Sequence, residues 1–182
     1  MTSVLVISGS PSCPSRTERL ARSVAARIEA RDVRASLLDV RSLPAEDLML
    51  ARFDAPSIVE ATARVAAADG VVVATPVYKA AYSGLLKTFL DVLPQFALRN
   101  KVVLPLATGG SIAHVLSIDY ALRPVLSSLD PLHVVNGLFI LDKQMTVPES
   151  GDVQLDPDVN QRLNGVLDQF LRGLSRVASA GI

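Results

Sequence analysis

The sequence predicts an α/β fold in which five parallel strands form one sheet with helices on both of its faces. Apolar runs of strand length alternate along the chain with segments whose apolar residues recur at helical spacing. Strands that alternate with helices pair in parallel through right-handed crossovers, and the connecting helices then cover both faces of the sheet. The chain contains no internal repeat and no low-complexity tract, so we expect residues 1–182 to form a single domain.

The first part of the chain contains two predicted strands and two predicted helices. Residues 4–8 form an apolar strand, and Ser15 opens a helix whose apolar side chains lie four residues apart. Residues 35–40 form the second strand, and residues 44–56 form a long, partly apolar connection. A helix follows this connection, and Ser57 is placed to cap its N-terminus.

The middle of the chain contains the strand that is most informative about function. Residues 70–75 include an uninterrupted apolar run, which is typical of a strand buried on both faces. We expect the strand to stop at Pro76, because proline cannot donate a hydrogen bond to a neighbouring strand. The next predicted helix covers residues 83–93 and ends before Pro94.

The last part of the chain completes the alternation. Residues 101–107 and 134–141 form the fourth and fifth strands, and a long helix at residues 111–129 separates them. Residues 143–156 are polar and are predicted to form a loop, after which Asp156-Pro157 opens the last helix with an N-cap and a proline. For five parallel strands, the flavodoxin-like order 2-1-3-4-5 is the natural arrangement.

The composition argues against two classes of function and favours an assembly of subunits. The chain has 18 Lys and Arg against 18 Asp and Glu, so it lacks the basic charge typical of nucleic-acid-binding proteins. Its longest apolar runs are shorter than the roughly 18 residues that a membrane span requires. A mean hydropathy of +0.36 favours apolar surface buried between subunits, so we expect a homo-oligomer, either a dimer or a tetramer.

The cysteine, the histidines and the N-terminus bear on the cellular setting. The single cysteine, Cys13, permits no intrachain disulfide, and two histidines in the whole chain offer no metal-ligand cluster. Residues 1–8 lack the basic segment and the long apolar segment of a signal peptide. We therefore expect a cytoplasmic protein without a metal centre.

The loop after the first strand, residues 9–17, has the composition of an anion site. Hydroxyl groups, backbone N–H groups at a helix N-terminus and one arginine favour a phosphate. The loop lacks the Walker A and the G-x-G-x-x-G patterns, so a terminal monophosphate fits it better than a pyrophosphate. An ordinary turn rich in serine and proline is the alternative. The candidate residues are Ser10, Ser15, Arg16 and Thr17.

Two further loops follow the third and fourth strands. The first begins with Pro-Val-Tyr, which forms a rigid aromatic shelf, and the second contains paired glycines, which let the backbone approach a ligand closely. A plain strand-to-helix turn is the alternative in both cases. The candidate residues are Pro76, Val77, Tyr78, Thr108, Gly109, Gly110 and Ser111.

The three loops are more informative together than separately. In the order 2-1-3-4-5 the first, third and fourth strands are neighbours, so their loops meet at the carboxyl edge of the sheet. A phosphate seat, an aromatic shelf and a wall of backbone amides form a pocket for a planar ring that carries a monophosphate. This is the shape of FMN.

Several segments of the chain resemble the NADPH-dependent FMN reductases. These segments are residues 9–11 with 15–16, residues 51–54, residues 75–84 and residues 106–114. Residues 119–126 narrow the resemblance to the two-component reductases of sulfonate assimilation. The resemblance extends to about Leu141 and is less clear beyond it. It implies a flavodoxin-like fold and hydride transfer from NADPH to FMN, with reduced FMN passed to a partner monooxygenase.

The resemblance also implies a role for each loop. The first loop holds the FMN phosphate, the Pro-Val-Tyr shelf borders the isoalloxazine ring, and the glycine loop faces the polar edge of that ring. Hydride transfer between two cofactors needs no general base, so we expect no catalytic side chain. The preference for NADPH comes from the resemblance, and NADH remains open because no pair of basic residues is clearly placed for a 2′-phosphate.

Tyr120 is a further candidate, for flavin access or a subunit interface. Pro124 falls within the predicted helix at residues 111–129 and deprives the Tyr120 carbonyl of its usual N–H partner. A single π-type turn would restore a partner, the N–H of Val125, and the resembling reductases carry a π-helix with a tyrosine here. A simple proline kink is the alternative.

Two other residues near the predicted loops have open roles. His114 either approaches the pocket or a neighbouring subunit, or it is solvated on its helix. Lys79 either meets a phosphate of NADPH, or it is a solvated loop lysine.

The leading interpretation is a reductase that uses FMN as a substrate or as a loosely held cofactor. A quinone, azo-dye or chromate reductase with tightly bound FMN keeps the same fold and changes the acceptor. A flavodoxin-type electron carrier is disfavoured, because such carriers are strongly acidic and this chain has no net charge. A flavin-binding module without turnover is the remaining alternative.

Overall fold

The computed structural model describes residues 2–148 and 153–180. The helices are α1 Arg16–Glu29, α2 Ala45–Met49, α3 Pro56–Ala67, α4 Gly84–Asp91, α5 Arg123–Ser128 and α6 Pro157–Ala180. The strands are β1 Ser3–Ser8, β2 Arg34–Asp39, β3 Gly70–Tyr78, β4 Ala81–Tyr82, β5 Val102–Gly109, β6 His133–Val134, β7 Leu138–Leu141, β8 Met145–Thr146 and β9 Gln154–Leu155.

The central sheet is parallel and confirms the predicted fold class. Its strands lie in the order β2-β1-β3-β5, and β6 and β7 both pair with the far side of β5. Because β6 and β7 together occupy the place of the predicted fifth strand, this is the flavodoxin-like order 2-1-3-4-5. The carboxyl ends of β1, β3 and β5 are therefore neighbours, which brings the three predicted loops to one edge of the sheet.

Helices cover both faces of the sheet over two apolar cores. Along β1, Val4 and Val6 pack against α1 and α6, whereas Leu5 and Ile7 pack against α3, α4 and α5. All four of these side chains are buried, because successive residues of a strand point to opposite faces and both faces are covered. Strand β3 is also covered on both faces, which explains why its apolar run is unbroken.

The third strand continues past Pro76, so the prediction that it stops there is wrong. It runs on to Tyr78 and turns back into β4 as a short antiparallel hairpin. Pairing with β1 ends at Ala74, and beyond that point the parallel neighbour of β3 is β5 alone. A residue without an N–H is tolerated where one side of the strand is free of a parallel partner.

The predicted long helix at residues 111–129 is divided into three pieces. A 3₁₀ turn covers Ile112–His114, a π-helical turn covers Ile118–Leu122, and α5 follows. In the π-helical turn the N–H of Arg123 donates to the carbonyl of Ile118, five residues earlier. A π-helical turn that includes Tyr120 is confirmed, with the N–H of Arg123 and the carbonyl of Ile118 where the prediction named Val125 and Tyr120. The expectation of a continuous helix is wrong.

The predicted fifth strand is interrupted between β6 and β7. Val134 pairs with Val103 and Leu138 pairs with Leu106, and the gap lies beside Pro105, which has no N–H for the ladder. The Arg123 guanidinium fills part of the gap, donating to the carbonyls of Val134 and Val135 at 3.0 and 3.3 Å.

Three smaller predictions also need correction. Ser57 does not cap α3: the helix begins at Pro56, and the Ser57 hydroxyl instead donates to Asp47 at 3.0 Å. The connection at residues 44–56 contains the short helix α2. The predicted loop at residues 143–156 contains the antiparallel pair β8–β9, and its residues 149–152 lie outside the described part of the chain. The helix expected after Asp156-Pro157 begins at Pro157 as predicted.

Candidate functional site

A cavity of about 700 Å³ opens at the carboxyl edge of the sheet, where the loops after β1, β3 and β5 meet. Its size lies within the range of small-molecule sites. Ten of the eleven predicted site residues line it: Ser10, Ser15, Arg16, Thr17, Pro76, Val77, Tyr78, Thr108, Gly109 and Gly110.

The first end of the cavity lies at the N-terminus of α1. Ser15 is the N-cap of this helix, and its hydroxyl accepts a hydrogen bond from the N–H of Glu18 at 3.1 Å. The Ser10 hydroxyl accepts from the N–H of Ser12 at 3.4 Å, which curls the loop around the cavity. The remaining first-turn N–H groups, the helix dipole and the exposed Arg16 give this end a positive potential.

A hydrogen bond between two threonines joins the first loop to the third. The hydroxyl oxygens of Thr17 and Thr108 lie 2.7 Å apart, and each residue is only 2% exposed. Thr17 belongs to the first turn of α1 and Thr108 to the end of β5, so the bond connects residues 91 positions apart. It fixes the distance between the N-terminus of α1 and the cavity wall formed by Thr108, Gly109 and Gly110, which we call the glycine wall.

The first loop is attached to the core through Gly9. Its N–H donates to the Ala74 carbonyl at 2.8 Å, and its carbonyl accepts a hydrogen bond from the Ser83 hydroxyl at the start of α4. A Cβ at this position would lie 2.6 Å from the Cβ of Leu86, a distance that real side chains do not adopt. Glycine is therefore required here by the close approach of α4 to the loop.

Arg41 holds the same loop from the other side. Its guanidinium donates to the carbonyl of Ser12 and forms an ion pair of 3.0 Å with Asp39 at the end of β2. The neighbouring Asp39 carboxylate raises the pKa of Arg41, so the arginine stays charged. Nothing in the local sequence indicated this contact, because Ser12 and Arg41 come together only in the folded chain.

The hairpin between β3 and β4 forms the aromatic shelf. Tyr78 is 47% exposed, and its hydroxyl lies 3.1 Å from that of Ser12 across the cavity mouth. The two turn residues, Lys79 and Ala80, have φ values of 49° and 67°, as a tight two-residue hairpin requires. The Tyr120 hydroxyl donates to the Ala80 carbonyl at 2.6 Å and secures the turn to the π-helical segment.

The glycine wall is shaped by close packing on its outer side. A Cβ on Gly109 would lie 3.0 Å from the ring of Phe139 and 3.6 Å from the Val77 side chain. A larger residue would displace one of these neighbours or enter the cavity. Ser111, in contrast, does not line the cavity: it is exposed, and its hydroxyl caps the following 3₁₀ turn by accepting from Ala113 at 3.2 Å.

Several lining residues were missed by sequence reasoning. Ser12, Pro14 and Arg19 belong to the first loop and helix, so a wider reading of that loop would have included them. Asp142 follows β7, and Val147 and Pro148 follow β8, so these three reach the cavity only through the tertiary fold. The missed lining residues are Ser12, Pro14, Arg19, Asp142, Val147 and Pro148.

Two residues with open roles do not line the cavity. Lys79 stands exposed at the hairpin tip, and His114 is half-buried in the 3₁₀ turn. In residues 2–148 and 153–180 no cluster of His, Cys, Asp and Glu side chains suits a metal ion. Over the same residues, no helix has both the length and the apolar character needed to cross a membrane.

The cavity fits the two chemically distinct ends of FMN. Hydroxyls, helix N–H groups and a cation suit a phosphate, and a wall without Cβ atoms beside an aromatic shelf suits a flat ring. Gly109 belongs to the cavity wall, and Phe139 packs so closely against it that a side chain has little space there. Gly9 lies outside the cavity lining and lets the first loop approach Leu86 closely.

Comparison with known proteins identifies the family. Residues 2–146 match the family model described as NADPH-dependent FMN reductase. The chain belongs to this family. The FMN reductase (NADPH) of Escherichia coli strain K12 is 44% identical over 173 residues, which cover 95% of this chain and 90% of the relative. The corresponding reductase of Pseudomonas putida is 47% identical over 174 residues, covering 95% and 88%.

A solved structure supports the same assignment. The apo form of the NADH:FMN oxidoreductase EMOB superposes with a TM-score of 0.85 at 43% identity, covering 96% of this chain and 90% of that one. This FMN reductase is therefore an oxidoreductase whose reaction involves FMN and NAD(P)H.

Proposed function

We propose that the cavity at the carboxyl edge of the sheet is where this reductase binds FMN and transfers a hydride to it from NADPH. The observation that carries the proposal is the meeting of three separate loops in one cavity with a cationic, hydroxyl-rich end and a flat glycine end. The two nucleotides supply the hydride chemistry. The protein contributes binding and orientation.

The FMN phosphate is assigned to the N-terminus of α1. Ser10, Ser15 and Thr17 supply hydroxyl groups there, the first turn supplies N–H groups, and Arg16 supplies a positive charge. Thr17 also holds this end at a fixed distance from the glycine wall through its bond to Thr108. The phosphate contacts thus determine where the ring lies relative to the shelf.

The flavin ring is assigned to the space between the aromatic shelf and the glycine wall. Pro76, Val77 and Tyr78 border one side, and Thr108, Gly109 and Gly110 border the other. We assign no ring contact to Ser111, which lies outside the cavity lining. Backbone N–H groups near the polar edge of the ring stabilise the negative charge that develops on reduction. Orientation of the two reactants, and not proton transfer by a side chain, is the protein's contribution to the rate.

We further propose that this reductase supplies reduced FMN to a partner monooxygenase in sulfonate sulfur assimilation, within the cytoplasm. The support is the motif resemblance, in particular residues 119–126 with their π-helical turn. NADPH is the proposed preferred donor, since the two FMN reductases compared above are named for NADPH, although EMOB is named for NADH. We propose that all 182 residues act as one domain.

A homo-oligomer is the proposed assembly. Large apolar side chains are exposed next to the π-helical turn and the hairpin tip, on a surface that a second subunit would cover. These residues are Ile112, Val115, Leu116 and Tyr120, which are between 40% and 64% exposed.

Steady-state kinetics with purified protein test the proposed reaction. NADPH oxidation is measured while FMN is titrated from none to excess, and the proposal predicts saturable dependence on added FMN. A yellow protein that turns over only with an added quinone or dye indicates a reductase with tightly bound FMN instead. Capture of a co-encoded monooxygenase by the tagged reductase tests the proposed partner.

A matched pair of arginine variants tests the proposed phosphate seat. Arg16→Gln is expected to weaken FMN binding by about three- to tenfold through loss of a charge-assisted hydrogen bond. It should leave the affinity for riboflavin, which has no phosphate, unchanged. Arg22→Gln is the control, because Arg22 lies on the same helix, outside the cavity, and pairs with Glu18. Equal loss of FMN and riboflavin affinity in Arg16→Gln would reject the assignment.

A further inference from the structure

Asp142 places an acidic side chain in the cavity wall. It is the first residue after β7, and the pairing of Leu141 with Gly109 brings it next to the glycine wall. One oxygen of its carboxylate lies 3.8 Å from the place that a Cβ on Gly110 would occupy. Asp142 is half-buried, so its charge is only partly screened by water.

No neighbouring group neutralises this carboxylate within the described residues. Over residues 2–148 and 153–180 it accepts no hydrogen bond and forms no ion pair, whereas Asp39 and Asp119 are paired with Arg41 and Arg123. It is the single acidic residue among the described residues that line the cavity. The lining cations, Arg16 and Arg19, come from the opposite end, at the start of α1.

We propose that Asp142 faces the polar edge of the flavin ring and weakens the binding of reduced FMN relative to oxidised FMN. This inference rests on the proposed placement of FMN, with its phosphate at α1 and its ring at the glycine wall. A carboxylate beside that wall accepts hydrogen bonds from the ring and holds a fixed negative charge near it.

The charge of the ring changes during the reaction. A hydride carries one proton and two electrons, so its transfer from NADPH leaves NADP⁺ and adds one negative charge to FMN. The neighbouring carboxylate repels this added charge and does not repel the neutral oxidised ring. Asp142 therefore opposes the stabilisation of this charge by the backbone N–H groups and shifts the binding preference of the site towards oxidised FMN, which favours release of reduced FMN to an acceptor.

Binding of the two redox forms of FMN tests the inference directly. Asp142→Asn keeps the size of the side chain and removes its charge. The dissociation constant of oxidised FMN is measured by quenching of flavin fluorescence, and that of reduced FMN by anaerobic titration. The ratio of reduced to oxidised dissociation constants is expected to fall about tenfold in the variant. That change corresponds to a shift of about 30 mV towards a less negative potential for the bound flavin.

A control variant separates a local charge effect from a general one. Asp32→Asn makes the same chemical change at an exposed position after α1, at the opposite edge of the sheet. Its φ of 58° is a conformation that asparagine accepts readily. The ratio of dissociation constants is expected to be unchanged in this control.

Two results would overturn the inference and distinguish it from the proposed site. A ratio within twofold of the wild-type value in Asp142→Asn, with Arg16→Gln still weakening FMN selectively, rejects the role of Asp142 alone. Equal weakening of both redox forms is one case of this result, because it leaves the ratio unchanged, and it would show that Asp142 binds the two forms of FMN equally. If Arg16→Gln has no selective effect on FMN, the proposed placement fails and this inference falls with it.

Discussion

The bond between Thr17 and Thr108 offers the sharpest test of how the cavity is held together. Valine has nearly the shape of threonine but lacks the hydroxyl, so Thr17→Val and Thr108→Val each remove one partner and leave the other. Both residues are 2% exposed, so the remaining hydroxyl has little access to water. The double variant removes both hydroxyls together and leaves no unpaired group.

The expected magnitudes follow from this asymmetry. A buried hydroxyl without a partner costs about 1–3 kcal/mol, whereas replacing both partners by apolar groups of the same shape is nearly neutral. We expect each single variant to lose about 1–2 kcal/mol of unfolding free energy and the double variant to lose less than their sum by at least about 1 kcal/mol. In a chain of 182 residues, each kcal/mol corresponds to about 2–4 °C in Tm.

Urea unfolding of the wild type, both single variants and the double variant completes the cycle. Thr88→Val is the control, because the Thr88 hydroxyl donates to the Leu85 carbonyl within α4, outside the cavity. FMN affinity should fall in the two single variants, should not recover in the double variant and should be unchanged in the control. Additive losses of stability would show that the two hydroxyls do not depend on each other and would refute the reasoning.

Three further predictions concern single positions. Tyr78→Ala should weaken FMN binding about tenfold through loss of the aromatic shelf. Tyr78→Phe loses only the contact with Ser12 and should change the FMN affinity less than threefold. Unchanged affinity in both variants would mean that Tyr78 has a purely structural role. Gly9→Ala should destabilise the fold by about 1–3 kcal/mol in urea unfolding, because its Cβ meets Leu86. Lys101→Met should cost about 1–2 kcal/mol at pH 7, because buried Lys101 donates to the carbonyls of Ala66 and Ala68. Burial lowers the pKa of Lys101, so the folded protein loses this proton before the unfolded chain does. The wild-type stability relative to Lys101→Met should therefore rise with pH between the lowered pKa and 10.5.

Local sequence patterns were sufficient to predict a segment's structure wherever that structure depends on the segment's own residues. The apolar run in β3 and the alternating burial along β1 follow from side-chain type and strand geometry. Ser15 and the Asp156-Pro157 pair mark helix starts because capping is a contact between near neighbours in sequence. The presence of a π-helical turn was predictable for the same reason, since Pro124 removes a hydrogen bond only four residues away, although the bond observed, from Arg123 to Ile118, lies two residues earlier than the one predicted.

Errors arose where a distant part of the chain decides the outcome. Pro76 does not end β3, because whether a proline is tolerated depends on which neighbouring strand is present at that point. The break between β6 and β7 lies beside Pro105 of another strand. Asn136-Gly137 within residues 134–141 is a local turn signal, but where the pairing breaks depends on the neighbouring strand. Both outcomes depend on strand register, which a single sequence does not contain.

The sequence by itself determined the fold class and ten of the residues around the cavity, and it made 2-1-3-4-5 the natural candidate for the strand order without fixing it. These follow from periodicity, from the rule that parallel sheets bind ligands at their carboxyl edge, and from the resemblance of the motifs. The tertiary structure alone decided the contact of Arg41 with the first loop and the presence of Asp142 in the cavity wall. These contacts join residues remote in sequence, and their geometry exists only after the sheet has brought its strands together.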